Sequence, residues 1–205
     1  MKLYYTPGAC SLAPHIAIRE AGLPVDLVKV DLATKRLEDG GDYKAVNPKG
    51  YVPALGLDDG SLLAEAAAVL QYVADKAPTG RLRPERDTPA YYRYLEWLTF
   101  VSSEMHKGFG PLFSPDTPAA TRASTIAKLN ERFALLDHHL AAHRYLNGDE
   151  FTAADSYLFT VTNWASMLKV DLAAYPNLIT YRARVGARPA VQEAMSQEGL
   201  LKAAA

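Results

Sequence analysis

The chain has 205 residues and one cysteine, Cys10, in the stretch GACSLAPH, and the neighbours of that thiol decide what chemistry it can do. Ser11 is placed to cap a helix carrying Leu12, Ile16 and Ala17 inward, with Gly22 and Pro24 closing it. Cys10 therefore falls at or just before a helix N-terminus. Unsatisfied amides and the helix dipole favour an anion there, and a thiol of free pKa about 8.5 is a group that such a setting draws toward thiolate. Gly8 and Ala9 add little bulk, so the approach to sulfur is open. The other reading is a small buried hydrophobe, the usual condition of a lone cysteine. Dithiol exchange would need a second cysteine three residues on, where Ala13 stands. Redox work at Cys10 must take its second thiol from solution, and glutathione is the abundant cytosolic candidate.

Other residues carry chemistry or imitate it. His106, with an ordinary pKa near 6.5, can donate to or polarise a sulfur, though a lone histidine is more often structural. His15 lies one turn inside the first helix and reads as packing or hydrogen-bonding support. His139 and His143 in HLAAH have metal-ligand spacing on one helical face, but the glutamate of a metalloprotease motif is missing; a solvated helix end is expected and no metal site. Thr152 and Asp155 have the spacing of a capping box worth roughly 1 kcal/mol, which makes Asp155 structural. The staple partner of Phe151 would be the polar Ser156, so no staple is expected. Tyr157 and Trp164 share a face seven residues apart, as core packing or as the wall of a substrate pocket.

The elements that must position these groups fall into two classes. KLYY, the first helix and DLVKVDL (residues 26–32) make a β-α-β unit with a parallel strand pair. VPALGL, the turn DDGS at 58–61 and LLA make a hairpin with Gly60 at the permissive position. A further helix from Ala64 puts Ala66, Val69, Leu70 and Val73 on one face. The Pro- and Gly-bearing stretch from residue 78 to 88 reads as a linker between a first domain, 1–77, and an all-helical second domain, 89–205. In the latter, Tyr94, Leu98, Val101 and Met105 form one stripe and Ile126, Leu129, Phe133, Leu136 and Leu140 another; Leu158, Val161, Ala165 and Leu168 face inward on a third helix, and the AAA tail is expected to fray.

Composition narrows the partners. Apolar residues are 49%, charged residues 22% and the net charge is -1, with Lys and Arg scattered, so there is no footprint for nucleic acid or an anionic membrane surface. The N-terminus lacks the apolar run of a signal peptide, and a cytoplasmic protein is expected.

Five motifs occur in order: YYTPGACSLAPHIAIREAGLP, NPKGYVPAL, LAEAAAVLQYVAD, SSEMHKGFGPLF and FTAADSYLF. Together they resemble the bacterial beta-class glutathione S-transferases over the whole chain. The resemblance implies a fold of class α/β plus all-α, a thioredoxin-like N-terminal domain followed by a helical-bundle C-terminal domain. It also implies a homodimer that binds glutathione in the cleft between domains. Cys10 matches the cysteine held beside the glutathione sulfur. Val52 matches the residue before a cis-proline whose backbone grips the cysteinyl part, in the manner of an added strand. Glu65 and Ala66 open the helix that takes the γ-glutamyl end, where Ala66 stands in place of a common serine and keeps only the backbone donor. Lys35 is placed near the glycine carboxylate. Thr99, Ser103, Glu104 and His106 match positions lining the glutathione site, some reaching across from the partner subunit; Thr99 replaces a common asparagine. Tyr5 and Ser11, the residue types other classes use to activate glutathione, are second choices here.

The expected function is conjugation of reduced glutathione to small hydrophobic electrophiles. Cys10 and His106 are the catalytic candidates, and glutathione is a co-substrate with no further cofactor. The alternative is thiol-disulfide exchange or dehalogenation through a Cys10 mixed disulfide, which excludes conjugation within one turnover. A non-catalytic ligand-binding protein is the third reading.

Overall fold

The computed structural model describes residues 1–78 and 82–201. The middle of the expected linker, residues 79–81, and the AAA tail lie outside the described residues. The chain divides into two compact units, Met1–Leu82 together with the chain from Arg188 onward, and Arg83–Ala187.

In the first unit the strands are β1 (Lys2–Tyr5), β2 (Asp26–Asp31), β3 (Arg36–Leu37), β4 (Ala54–Gly56) and β5 (Leu62–Ala64), in the sheet order β3-β2-β1-β4-β5. β1 and β2 pair in parallel, joined by α1 (Leu12–Ala21), and the remaining pairs are antiparallel. α1 tolerates Pro14 because its first turn lacks amide partners anyway, and it ends on Gly22 at φ 65°, the left-handed cap expected of glycine. Leu12, Ile16 and Ala17 are buried as their spacing requires. α2 (Tyr43–Val46) is one turn capped by Asp42. α3 (Ala66–Lys76) buries Ala66, Val69, Leu70 and Val73. Ser11 departs from expectation: it makes no side-chain cap. Its hydroxyl instead accepts from the Thr6 amide (3.1 Å) and donates to the Thr6 carbonyl (3.2 Å), closing the loop before the helix.

The second unit is helical: α4 (Pro89–Phe100), a π-helical turn (Val101–His106), α5 (Lys107–Phe109), a 3-10 turn (Gly110–Phe113), α6 (Ala119–Ala142), α7 (Ala153–Met167) and α8 (Pro176–Gly186). Thr88 caps α4 by accepting from Tyr91 N, with Pro89 at the first position. Tyr94, Leu98, Val101 and Met105 are buried as one stripe. On α6 the buried stripe contains Thr125 where Ile126 was expected; Ile126 is half-buried, and Leu129, Phe133, Leu136 and Leu140 follow as read. α7 is buried nearly all round, the state of a central helix. Its capping box forms: Asp155 Oδ2 accepts from the Thr152 amide and hydroxyl, each at 2.8 Å, while Oδ1 accepts from Leu146 N and Tyr181 Oη. Burial raises the Asp155 carboxyl above its ordinary value despite these donors. Phe151 packs edge-on against Tyr145, with centroids at 5.7 Å, in place of a staple.

α9 (Pro189–Gln197) belongs to the first unit, so residues from 188 on depart from the expected 89–205 domain. Val191 and Ala194 are buried, Arg188 forks onto the Glu20 carboxylate, and Arg19 Nε donates to Gln197 Oε1 at 3.0 Å. No helix among the described residues is long and apolar enough to cross a membrane.

Candidate active site

In the first unit the sequence-predicted residues converge on one loop, Asn47–Pro53. Its shape is set from beneath: the Tyr43 hydroxyl and the Asn47 amide both donate to the Tyr51 carbonyl at 2.8 Å, and Asn47 is buried. The Val52–Pro53 bond is cis, and Val52 packs with Val30, Tyr43 and Ala54 in one apolar cluster. Cys10 Sγ donates to the Val52 carbonyl at 3.0 Å, and its residue is half-buried. Lys35, at φ 58°, donates from Nζ to Gly50 O at 3.0 Å, and its ammonium lies 5.7 Å from the Tyr51 ring centre. Gly50 sits at φ 64°, the left-handed backbone angle that favours glycine, while a Cβ there would make only ordinary contact with Lys35 and Lys44. Lys49 Nζ donates to Glu65 Oε1 at 2.7 Å. Glu65 itself, at φ 72°, turns the chain into α3, and Ala66 is the first residue of that helix. Three ends of a peptide-like ligand could thus be met by one loop and its neighbours: a carboxylate at Lys35, an extended backbone at Val52, and an ammonium at Glu65.

The position of Cys10 is fixed from the far end of the sequence. Glu198 Oε2 accepts from the Gly8 amide at 2.9 Å while Oε1 meets His15 Nδ1, also at 2.9 Å; Gln197 Oε1 holds His15 Nε2. Both His15 and Glu198 are buried. The supporting role read for His15 is what the structure displays, but its partners have no signal in local sequence. The thiol's proton is directed at the Val52 carbonyl.

In the second unit Thr99, Ser103, Glu104 and His106 lie on the end of α4 and the π-helical turn. A π-turn inserts an extra residue into the helical ladder and is a frequent mark of functional positions. Thr99, Ser103 and Glu104 are exposed. Ser103 Oγ donates back to Thr99 O at 3.0 Å, and Arg132 donates to Glu104 Oε2 from Nε and Nη2 at 3.1 and 3.0 Å. His106 Nδ1 hydrogen-bonds the buried Tyr157 hydroxyl, and its ring meets Trp164 edge-on with centroids at 5.0 Å. Trp164 is 4% exposed and also contacts Phe109 and Phe113, so it is chiefly core packing behind His106. His139 differs from the expected solvated helix end: it is half-buried against Trp97 and donates from Nε2 to Leu146 O at 2.9 Å. No group of three or more metal-ligating side chains is gathered among the described residues.

Two family profiles match the chain: glutathione S-transferase, N-terminal domain, over residues 8–76, and glutathione S-transferase, C-terminal domain, over residues 100–189. Glutathione S-transferase GstA of Escherichia coli O157:H7 is 48% identical, over 98% of this chain and 100% of that protein. Two solved structures superpose with TM-scores of 0.94 at 45% identity, each covering 98% of this chain and 100% of theirs. One is a sphingomonad glutathione S-transferase complexed with glutathione, the other the bacterial beta-class glutathione S-transferase of Sphingomonas chungbukensis.

Proposed function

The chain belongs to the glutathione S-transferase family, in the bacterial beta class, and on that premise we propose the residue roles by which it conjugates glutathione to small hydrophobic electrophiles. The observation that carries the reading is the Asn47–Pro53 loop, which brings Cys10, Lys35 and the Glu65–Ala66 helix start to one turn. The glutathione backbone pairs with Val52, its γ-glutamyl ammonium replaces Lys49 at Glu65, the γ-glutamyl carboxylate meets the Ala66 amide, and the glycine carboxylate meets Lys35. An exposed lysine-glutamate pair contributes little, so its exchange costs little. Thr99, Ser103 and Glu104 line the same tripeptide, some of them from a second copy in a homodimer, which accounts for polar groups left exposed on the π-turn.

His106 supports the glutathione sulfur. With the Tyr157 hydroxyl donating to Nδ1, a neutral ring carries its proton on Nε2 and offers it to a thiolate. In conjugation the glutathione thiol loses its proton to solvent water, the thiolate attacks the electrophilic carbon, a C–S bond forms and the leaving group departs with its electron pair. Positioning and anion stabilisation supply the rate. The expected cellular location is the cytoplasm, where reduced glutathione is abundant.

Disulfide exchange at Cys10 is favoured by one observation, the 3.0 Å contact between its sulfur and the carbonyl assigned to the cysteinyl part of glutathione. There the Cys10 thiolate attacks the glutathione sulfur of a mixed disulfide between glutathione and a substrate thiol, forms the Cys10–glutathione bond and releases the substrate thiolate; a second glutathione thiolate then attacks the bound glutathione sulfur, restoring the Cys10 thiolate and leaving as glutathione disulfide. The Cys10→Ala protein separates the two readings. Conjugation of an aryl halide within about threefold of wild type, with loss of the reducible adduct in the mass spectrum, assigns Cys10 to exchange alone. A fall of 100-fold, on the scale of losing a group that acts in the transition state, assigns it to conjugation.

A further inference from the structure

The second unit contains a cleft lined by none of the residues assigned to glutathione. It has a volume of about 180 Å³ and lies between α4, the C-terminal end of α6 and the turn after it. Arg93 and Trp97 line it from α4, His139 from α6, His143 from the residue that ends α6, and Leu146 and Asn147 from the turn. Two properties distinguish it from an incidental surface dent.

The first is an aromatic wall. Trp97 and His139 lie with ring centres 4.5 Å apart, and His139 and His143 follow at the same spacing. His139 cannot swing freely, because Nε2 donates to the Leu146 carbonyl, and burial lowers its basicity, keeping the ring neutral at neutral pH. Trp97 and His139 therefore make a fixed, uncharged π surface.

The second is a set of donors with nothing to hold. The Arg93 guanidinium, the Trp97 indole N–H and the Asn147 amide make no hydrogen bond or ion pair with any described residue. No carboxylate lines the cleft, so the positive charge at its rim is not neutralised there. A cavity of about 150 Å³ is enough for a benzene ring, which sets the size of ligand that fits. Guanidinium and amide donors on one side, with π faces on the other, match an aromatic ring bearing an acidic group.

We propose that this cleft is a binding site for a small aromatic anion, a single ring stacked on Trp97 and His139 with its anionic group held by Arg93 and Asn147. The site stands on the second unit alone and does not depend on the roles assigned to Cys10 or His106.

Benzoate is the probe, titrated into the full-length protein while the two tryptophan indole N–H resonances and the histidine ring resonances are followed by NMR. The expected result is saturable movement of the Trp97 and His139 signals. Cyclohexanecarboxylate, with the charge but no π face, and benzyl alcohol, with the ring but no charge, are expected to bind about tenfold more weakly. Arg93 is exposed, so Arg93→Gln is expected to fold normally, to keep wild-type glutathione turnover and to lose about tenfold in benzoate affinity. The proposal is overturned by absence of saturable shifts, by movement confined to Trp164, by equal binding of cyclohexanecarboxylate, or by wild-type benzoate affinity in Arg93→Gln.

Discussion

The Asn47–Pro53 loop holds its site groups through internal bonds, whereas the Val101–His106 turn presents Ser103 and Glu104 to solvent on an irregular helix. The loop is preorganised: Tyr51 O is pinned twice, and Lys35 and Cys10 are each tied to a backbone carbonyl of the same loop. A ligand arriving there must displace contacts already made, at Glu65 and at Val52. On the π-turn Ser103 and Glu104 are exposed, with exposed or half-buried partners in Thr99 and Arg132, whereas His106 has a buried partner, Tyr157. Damage to the first region should therefore appear in stability and affinity together, and damage to the second in turnover.

The sharpest way to break this contrast is Glu198→Ala. It removes the acceptor of the half-buried Gly8 amide and of the buried His15 Nδ1, and loss of the buried acceptor alone costs about 1–3 kcal/mol. Urea unfolding is expected to register that loss alongside a raised KM for glutathione; an unmoved midpoint would show that the loop carrying Cys10 is held some other way. His106→Ala is expected to lower kcat about 100-fold, while unfolding free energy falls by only about 1 kcal/mol from loss of the His106–Tyr157 hydrogen bond. A loss shared equally between stability and turnover would erase the distinction between the regions.

Asp155 supplies a control within the helical unit. Burial raises its folded-state value above the ordinary 3.8, so the folded protein keeps this proton to higher pH than the unfolded chain does. The stability it contributes is full below the unfolded value and declines as pH rises through the raised one. Asp155→Asn is expected to flatten that part of the pH dependence of Tm and to leave kcat unchanged. The smallest effect belongs to Lys49→Met: loss of an exposed pair shifts stability by less than about 1 kcal/mol, and the freed Glu65 is expected to lower KM for glutathione about twofold, read from initial rates.

Much of this was legible where local rules decide. Gly22 at a left-handed cap, the Thr152–Asp155 box, the β4–β5 hairpin and the buried faces of α1 and α3 follow from spacing over a few residues. What escaped was long-range or too short to be periodic. β3 and α2 span two and four residues. Ser11 satisfied every local criterion for a cap, yet its hydroxyl bonds to Thr6, because tertiary placement of the preceding loop competes with the helix start. A π-turn keeps the same apolar stripe as the helix it interrupts, so Val101 and Met105 gave no sign of it. For α9 the pattern shows an apolar face without saying which unit covers it.

The return of α9 to the first unit bears on the order of synthesis. Gly8 leaves the ribosome 190 residues ahead of Glu198, yet the amide of one is held by the carboxylate of the other. The β-α-β unit can assemble while the helices are still being made, but the loop before Cys10 reaches its final hydrogen bonds only after Glu198 has been made. A nascent chain is thus kept from having a finished thiol site until α9 and Glu198 have followed the helices out.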